Sequence, residues 1–502
     1  MAEVTGAAGV TVALTDHSCC YSRHMASRAV RLVVVIYALG FLLFWPRAIN
    51  LTDEALYVRA AWAFGHGHTQ VEAVDGISGQ SRLRLPSRYP PGTSALQAPL
   101  VRLFGSRGAP LLSLLCYCVT GLLLARWLAR RGQSPIFALL FLGYLPALVL
   151  GRVAMSDVPS ALVVCVMQML LFESGPREGT PASATGSLIA GFMAGVSLLF
   201  REANVLLVAP LCIGAVVRRE GRAIPLVLGG LLGFSLRLLA ASIVFGHPFF
   251  TQGHRGWSIG WAVANLPLYF AALLVLAPLG LVGALAYRGP RRVEVIATVL
   301  LTFGFFLAFG YSAEESGGIK RLILGPRYFL PLVPLLSIAL AESLPRLWRD
   351  RGEPGGERLA RMLSVSWTAV VFLAAFLVHP ALDRFGRAQR EIAEALQVAT
   401  SSQGVVVLDD VELDKYFGPW SNPRRLVSLR RLNPTDLPLL VARDGVTFLA
   451  LLDRTDSAYH RTRSAVDEGW RAQAATHCAL EVTHDAIHGS MHLRIYRIAR
   501  CA

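Results

Sequence analysis

The chain has 502 residues, of which 54% are hydrophobic and only 16% charged, and its mean hydropathy is +0.49. Soluble proteins carry about a quarter charged residues, so this composition excludes an ordinary soluble enzyme. The net charge of +15 does not indicate nucleic-acid binding, because the arginines are spread between apolar runs and form no compact basic domain. We therefore expect a bilayer-embedded protein without a nucleic-acid partner.

Apolar runs recur along the first three quarters of the chain, and each is long enough, or nearly so, to cross hydrocarbon as a helix. Only helices satisfy their own backbone hydrogen bonds there. The sequence therefore predicts a mainly α, polytopic membrane helix bundle with about 11 transmembrane helices. The predicted spans are 31–49, 109–127, 135–151, 158–174, 187–200, 204–217, 223–245, 262–287, 293–311, 327–345 and 361–379.

Arginines cluster on alternate connections between these spans. The clusters are Arg23, Arg28 and Arg31; Arg126, Arg130 and Arg131; Arg218, Arg219 and Arg222; Arg288, Arg291 and Arg292; and Arg346, Arg349, Arg351, Arg358 and Arg361. By the positive-inside rule these connections are cytoplasmic, and residues 1–30 form a cytoplasmic N-terminal tail. The long first loop, residues 50–108, is then extracytoplasmic, and we expect short interfacial helices in it.

The chain changes character beyond His379. Short strands are predicted at Val405–Leu408, Thr447–Leu452 and around Leu480 and Leu493, and a helix at Glu391–Ala399. Residues 380–502 are therefore predicted to form a small α/β domain, which an odd number of spans places on the extracytoplasmic side. Cys478 and Cys501 both lie in this domain and could form a disulfide there.

Three acidic residues lie where predicted spans meet the extracytoplasmic face: Asp53, Glu54 and Asp157. A carboxylate at that interface can accept a proton from an incoming hydroxyl group. The competing interpretation is structural, since Asp53 could cap a helix running through Tyr57, and Asp157 another that has Pro159 in its first turn.

Basic residues are predicted on the same face: Arg201, Lys320, Arg321 and Arg327. Guanidinium groups bind phosphate oxygens bidentately, so these side chains suit a phosphate ligand. Snorkelling to lipid headgroups is the alternative, and we favour it for Lys320 and Arg321. For Arg327 we favour phosphate, because an arginine at an extracytoplasmic helix mouth runs against the charge bias.

Histidines and metal ligands give weaker signals. His66 and His68 form an H-x-H motif near the acidic residues, and such a motif only rarely marks a metal site. His484, His488 and His492 fall in a probable hairpin, and we interpret them as surface residues. No cofactor is required by the sequence, and a divalent metal is unsupported. Glycine-rich phosphate loops are absent, which disfavours a soluble-nucleotide donor.

Several motifs, in their order and on their predicted side of the membrane, resemble the GT-C superfamily of glycosyltransferases. They are DEALY from residue 53, YPPG from 89, GRVAMSDVPS from 151, AGVSLLFREANVLLVAP from 194, FGHPFF from 245 and GPRYFLPLVPLL from 325. The resemblance is greatest to the branch that holds protein O-mannosyltransferases, the aminoarabinose transferase of lipid A and the Rgt-type bacterial transferases. It spans about residues 31–345 of the predicted 31–379 transmembrane domain.

The resemblance implies transfer of a sugar from a polyprenyl-phosphate donor to a hydroxyl on an unidentified glycan, lipid or protein, with inversion at the anomeric carbon. Asp53 would be the general base, Glu54 would assist it or bind the acceptor, and Asp157 would shape the site. Arg327, with Arg201 and Lys320, would hold the lipid phosphate as it leaves. The tyrosines Tyr57, Tyr89 and Tyr328, which lie within these motifs, are candidate substrate-binding residues.

Two other functions compete with this interpretation. A transporter or flippase of lipid-linked glycans would place ionisable residues in mid-membrane, where Arg237 is the main predicted charge. A polymerase or ligase of surface polysaccharide would be expected to carry a large outer loop late in the membrane domain, which this chain lacks before residue 379.

Overall fold

The computed structural model describes residues 8–49, 51–74, 80–173, 183–218, 223–249, 256–309, 321–349, 355–400, 404–408, 425–454, 458–489 and 491–501. The α-helices are α1 (Ala8–Leu43), α2 (Thr52–Gly65), α3 (Gly92–Phe104), α4 (Pro110–Arg130), α5 (Leu139–Leu142), α6 (Leu145–Leu150), α7 (Asp157–Glu173), α8 (Ala184–Ser197), α9 (Val205–Val217), α10 (Ala223–Phe245), α11 (Ile259–Leu276), α12 (Gly280–Leu285), α13 (Arg292–Ala308), α14 (Arg321–Leu324), α15 (Val333–Arg349), α16 (Gly355–Ala399), α17 (Leu437–Asp444) and α18 (Ala458–His477). Short 3₁₀ helices lie at Gly105–Gly108, Pro135–Ala138, Glu202–Asn204, Pro326–Leu332, Leu429–Arg431 and Pro434–Asp436.

A polytopic helix bundle forms most of the molecule, as predicted. Among the described residues, six helical stretches are long and apolar enough to cross a membrane: Met25–Leu43, Pro110–Arg130, Ala223–Phe245, Ile259–Leu276, Pro326–Leu344 and Val365–Ala399. Shorter apolar helices occupy other predicted spans, among them Ala184–Ser197 and Glu202–Val217. Many large apolar side chains of these helices point outward, as lipid-facing surfaces require.

The third predicted span, 135–151, is not one continuous helix. It is interrupted at Gly143 and Tyr144, between α5 and α6, and Gly143 packs so closely on α16 that a Cβ there would lie 2.4 Å from Val371. Backbone carbonyls at such a break need other donors in a membrane interior. Buried tyrosines supply them: Tyr117 donates to Leu142 O at 2.7 Å and Tyr37 to Leu148 O at 2.6 Å.

Two further boundaries differ from the predictions. The span predicted over 262–287 is interrupted between α11 and α12, where Leu279 adopts a left-handed φ of 61°. The last span and the helix predicted at Glu391–Ala399 are joined, since α16 continues through Pro380. The proposed boundary between the domains, residues 379 and 380, therefore lies within a helix.

Helices α8 and α10 cross at very close range along two glycine pairs. A Cβ on Gly191 would lie 1.9 Å from Leu226 O, and one on Gly229 would lie 2.0 Å from Leu188 O. The next glycines, Gly195 and Gly233, make similarly close approaches. Small residues spaced by four let helix backbones pack together in lipid, where dispersion contacts replace the hydrophobic effect.

The C-terminal sheet has the strand order β4-β3-β5-β7-β6, formed by Arg425–Ser428, Val405–Leu408, Thr447–Arg454, Met491–Cys501 and Cys478–His488. Strand β3 is parallel to β4 and β5, whereas β7 is antiparallel to β5 and β6. Another two-stranded sheet, β1 (Val71–Val74) with β2 (Ser81–Arg84), lies in the first loop. The strands predicted from sequence are confirmed, and Cys478 is disulfide-bonded to Cys501.

Alternate residues of the central strands face two apolar layers, as the pleat requires. Val405 and Val407 pack with residues of α17 and α18, such as Leu437 and Ala474. Val406 and Leu408 pack on the opposite face, where α16 supplies Ile392 and Leu396. The same helix contributes Val371, Ala375 and Val378 to the core of the bundle. Helix α16 is therefore shared between the bundle and the sheet domain.

Candidate active site

Asp53 lies in the first turn of α2, immediately after the first membrane helix. The helix begins at Thr52 with Leu51 as its N-cap, so the prediction that Asp53 caps it is wrong. Glu54 performs the capping function, because its Oε2 accepts the Leu51 N–H at 3.4 Å. The Asp53 carboxylate is consequently available for other contacts, in a position that the helix dipole favours for an anion.

The Asp53 carboxylate is bonded on both oxygens. The Tyr89 hydroxyl donates to Oδ1 at 2.6 Å, and Arg327 Nη2 donates to Oδ2 at 3.2 Å. The Asp53 side chain is 32% exposed, whereas that of Arg327 is 9% exposed. Residues predicted from separate motifs, 36 and 274 positions from Asp53 along the chain, thus meet at one point.

These contacts set the protonation state of the cluster. Burial raises the pKa of Asp53, but the charge of Arg327 and the Tyr89 hydrogen bond outweigh burial, and the net pKa lies below its usual value. Burial and the Asp53 charge raise the pKa of Tyr89. Asp53 is therefore an anion and Tyr89 a neutral donor at physiological pH.

A second predicted arginine, Arg201, also lies near the ring of Tyr328. The guanidinium carbon of Arg327 is 5.2 Å from the Tyr328 ring centroid, and that of Arg201 is 5.3 Å from it. Arg201 also donates to Asp157 at the start of α7, where the aspartate side chain is 2% exposed. Asp157 therefore neutralises a half-buried arginine and is itself almost inaccessible.

Tyr57 is buried, and its ring packs against the ring of Tyr89. The two rings stack with centroids 4.8 Å apart and planes 11° apart, and the Tyr57 hydroxyl donates to Ser156 Oγ at 2.8 Å. Tyr57 is only 3% exposed, so its ring is a wall of the site rather than a surface open to a ligand. The Arg88 guanidinium lies 5.7 Å from the Tyr89 ring centroid.

Glu54 positions the loop that carries Ser156 and Asp157. Its Oε1 accepts the Ala154 N–H at 3.0 Å, and the side chain is buried. At the other end of this loop, Arg152 contacts His379 Nδ1 at 2.9 Å and donates to Phe44 O. The loop is thus tied to α2, to the end of α1 and to α16.

A small, partly open pocket lies beside Arg88, the residue that precedes Tyr89. Its walls are Arg88, Pro90, Pro91, Glu202, Arg237, Ala241 and Phe245. Arg237, the predicted mid-membrane charge, is paired here with Glu202 at 2.8 Å. The Arg237 guanidinium therefore extends from α10 to the residue that follows Arg201.

Among the remaining predicted residues, His66 makes its contacts elsewhere. His66 is the C-cap of α2, with Nδ1 2.8 Å from Trp62 O and its ring 4.4 Å from the Trp62 ring, tilted by 34°. Lys320 and the side chain of Arg321 lie outside the described residues. Across the part of the chain that the structure describes, no group of three or more His, Cys, Asp or Glu side chains is arranged to hold a metal ion.

The three C-terminal histidines lie in the β6–β7 hairpin, as the sequence predicted, but two of them converge. His484 Nε2 and His488 Nε2 are 3.4 Å apart, and His488 Nδ1 is 3.3 Å from Glu391 of α16. His492 instead pairs with Asp485. These contacts join the hairpin to α16 and lie apart from the Asp53 cluster.

Three contributors to the cluster were not predicted: Ser156, Met155 and Arg88. Ser156 and Met155 lie within the motif that contains Asp157, and Arg88 immediately precedes Tyr89. Met155 Sδ is 3.8 Å from Arg327 Nη1. Their proximity in sequence to predicted site residues is the only signal that could have identified them, because serine, methionine and arginine at these positions form no recognisable pattern.

Comparison with solved structures identifies the architecture. ArnT from Cupriavidus metallidurans bound to undecaprenyl phosphate has 15% sequence identity and a TM-score of 0.58, with coverage of 93% of this chain and 97% of that chain. ArnT from the same organism in the apo state gives the same identity and coverage and a TM-score of 0.59. No family model matches the chain, and no curated protein sequence does. The structural likeness confirms the predicted GT-C fold, and its coverage includes most of the C-terminal domain.

Proposed function

We propose that this protein is an integral-membrane glycosyltransferase that moves a sugar from a polyprenyl-phosphate donor to a hydroxyl acceptor. The observation that carries this proposal is the contact between Asp53 and Arg327. A partly exposed carboxylate and a fixed guanidinium at one point are the two groups that such a transfer needs. The GT-C fold, shared with an ArnT that was crystallised with undecaprenyl phosphate, supports the choice of donor.

The reaction assigns opposite tasks to the two groups. Asp53 accepts the proton of the acceptor hydroxyl while the hydroxyl oxygen forms a bond to the anomeric carbon of the sugar. The bond between that carbon and the phosphate oxygen breaks, and the leaving lipid phosphate keeps the electron pair. Arg327 stabilises the charge that develops on the phosphate, which is greater in the transition state than in the ground state. In-line attack inverts the anomeric carbon.

Neighbouring residues support these two. Tyr89 orients the Asp53 carboxylate, and Tyr57 and Ser156 hold Tyr89 in place. The guanidinium groups of Arg327 and Arg201 both lie against the Tyr328 ring, so a second cationic group stands near the one that would hold the phosphate. The exposed Arg88 and the adjoining pocket offer a second cationic surface for an anionic portion of either substrate.

We assign the site to the extracytoplasmic side, with the N-terminal tail in the cytoplasm and the C-terminal domain outside. The arginine bias of the connections supports this orientation. The cluster lies at helix ends, in the first turn of α2, at the start of α7 and in the 3₁₀ helix that precedes α15. That location favours an enzyme over a transporter, whose ionisable residues usually lie at mid-membrane.

Lipid and glycan analysis of the native host tests this function and identifies the substrates. Cells without the protein should accumulate one polyprenyl-phosphate sugar and lack one surface glycosylation, and the wild-type chain should restore it. Asp53→Asn should reduce transfer by about 10²–10⁴-fold, because amides do not act as general bases. The matched control is Asp485→Asn in the C-terminal hairpin, which should restore glycosylation. Full restoration by Asp53→Asn would remove Asp53 from the mechanism.

A further inference from the structure

We propose that the Asp53–Arg327 ion pair restrains the base until the phosphate of the lipid donor replaces Asp53 on Arg327. Donor binding would then precede activation of the carboxylate, and acceptor deprotonation would follow. This inference rests on the proposed function and deepens it, because it assigns an order to the substrates and a second task to Arg327.

The first argument is that each partner blocks the task of the other. Arg327 Nη2 is 3.2 Å from Asp53 Oδ2, so the guanidinium that would hold a phosphate already holds a carboxylate. The second carboxylate oxygen accepts the Tyr89 hydroxyl at 2.6 Å. A carboxylate stabilised by a cation and a hydrogen-bond donor has a reduced affinity for protons, and is a poor general base while these contacts persist.

The second argument identifies the partner that can move. Arg327 is fixed by stacking on Tyr328 at 5.2 Å and by Met155 Sδ, 3.8 Å from its Nη1. Its 3₁₀ helix is anchored by the Tyr144 hydroxyl, which donates to Pro326 O at 2.6 Å. The Asp53 side chain is about three times as exposed, at 32% against 9%. The carboxylate is therefore the group that a competing anion displaces.

The neighbouring pair of Arg201 and Asp157 provides an internal comparison. It shares the Tyr328 ring with Arg327, but its carboxylate is 2% exposed and its guanidinium 15%. Removing a buried aspartate from its arginine would leave an uncompensated charge, which is costly in a protein interior. Of these two arginines, Arg327 is thus the one whose anion can be exchanged at low cost.

The exchange itself needs no additional group. A phosphate monoester or diester presents oxygens that match the fork of the guanidinium, so Arg327 keeps a bound anion throughout. Asp53 loses its cation and regains proton affinity at the moment when the donor sugar is in place. Without donor, the carboxylate stays paired, and a hydroxyl acceptor or water is not activated.

Phosphate binding can be measured without catalysis. The probe is farnesyl phosphate, titrated into the purified full-length protein in phosphatidylcholine nanodiscs, with farnesol as the uncharged control. Asp53→Asn should bind farnesyl phosphate about fivefold more tightly than wild type, because the competing anion is gone. Asp53→Ala should behave in the same way, and Asp485→Asn should match wild type. Farnesol binding should be equal in every variant.

The outcomes separate this inference from the proposed function. In one outcome, Arg327→Gln loses farnesyl phosphate binding, but both Asp53 variants bind it no more tightly than wild type. This outcome would overturn the restraint and leave the proposed donor site intact. Wild-type binding that is indifferent to Arg327→Gln, or no stronger than that of farnesol, would overturn both. The exchange is supported if both Asp53 variants bind farnesyl phosphate more tightly than wild type and the double variant Asp53→Asn/Arg327→Gln loses this gain.

Discussion

At the scale of single residues, the Tyr89 hydroxyl and the Arg327 guanidinium keep Asp53 ionised by lowering its pKa against the effect of burial. A group whose folded-state pKa is depressed stabilises the fold above its unfolded pKa, and that contribution is lost as the pH falls through the folded pKa. The Asp53 contacts therefore persist throughout the neutral range. They weaken only in acid, below the usual titration range of an aspartate.

Tyr89→Phe tests this balance, because it removes one of the contacts that lower the pKa and retains the ring that stacks on Tyr57. The Asp53 pKa should rise, so less of the carboxylate is ionised at a given acidic pH. The acid limb of kcat/KM should therefore move to higher pH, measured from pH 2 to pH 6 so that the range includes the depressed pKa of Asp53. Thr476→Ser, far from the site in α18, is the control. An unshifted acid limb would show that Tyr89 does not tune the carboxylate.

Glu54 differs from Asp53 although the two are adjacent, since Glu54 is buried and accepts the Ala154 N–H. Glu54→Ala should lower the free energy of unfolding by about 1–3 kcal/mol, because it leaves a buried donor unpaired. Glu54→Gln keeps an amide oxygen and should lose less stability and less activity. Thermal unfolding in detergent, followed by intrinsic fluorescence, distinguishes the two variants. Equal stability of Glu54→Ala and wild type would exclude this positioning role.

At the scale of helices and strands, sequence reasoning succeeds where a local pattern decides the structure. The length of apolar runs predicts the membrane helices, and short continuous apolar runs predict strands β3 and β5. The break between α5 and α6 was not predictable, because the tyrosine hydroxyls that satisfy its backbone carbonyls come from other helices, α4 and α1. The continuity of α16 through Pro380 likewise depends on packing in two cores rather than on local preference.

The same limit applies to the site. The order of the motifs and the arginine bias predict one face for Asp53, Asp157, Arg201 and Arg327, and contacts through the Tyr328 ring and two ion pairs connect these residues. The motif order and the arginine bias do not reveal which acid pairs with which arginine, because the partners are separated by 44 and 274 positions. The Asp53 side chain is partly exposed and the Asp157 side chain is buried. The surrounding loops decide this difference, and it cannot be read from the type of residue.

The crossing of α8 and α10 supports a prediction about an element. Gly191→Val should force the helices apart, since even a Cβ would meet Leu226 O at 1.9 Å, and the overpacking should cost about 1–3 kcal/mol. Gly304→Val is the matched control, because a Cβ at this outward-facing glycine of α13 has no neighbour within 4 Å. Thermal unfolding and the yield of monodisperse protein measure the difference. Equal values for the two variants would exclude close packing at this crossing.

At the scale of the whole molecule, the disulfide reports on the side of the membrane that the C-terminal domain occupies. Cys478→Ser releases Cys501, which is half-buried, whereas Cys501→Ser releases Cys478, which is buried. If the domain is extracytoplasmic, an impermeant maleimide should label Cys478→Ser in intact cells, more rapidly than Cys501→Ser and without added reductant. Labelling of Cys478→Ser only after the membrane is permeabilised would place the domain in the cytoplasm.

Helix α16 has a mechanical consequence. Its 45 residues extend for about 68 Å, more than twice the roughly 30 Å of bilayer hydrocarbon. Residues 371–378 pack in the bundle core, and residues 392–396 pack against the C-terminal sheet. The middle of α16 carries His379, whose ring contacts Arg152 in the loop that leads to Ser156 and Asp157. Pro380 follows His379 and removes one backbone hydrogen bond from this part of α16. A displacement of the sheet relative to the bundle would therefore act beside the Arg152 contact, and the loop it would disturb first borders the carboxylate cluster.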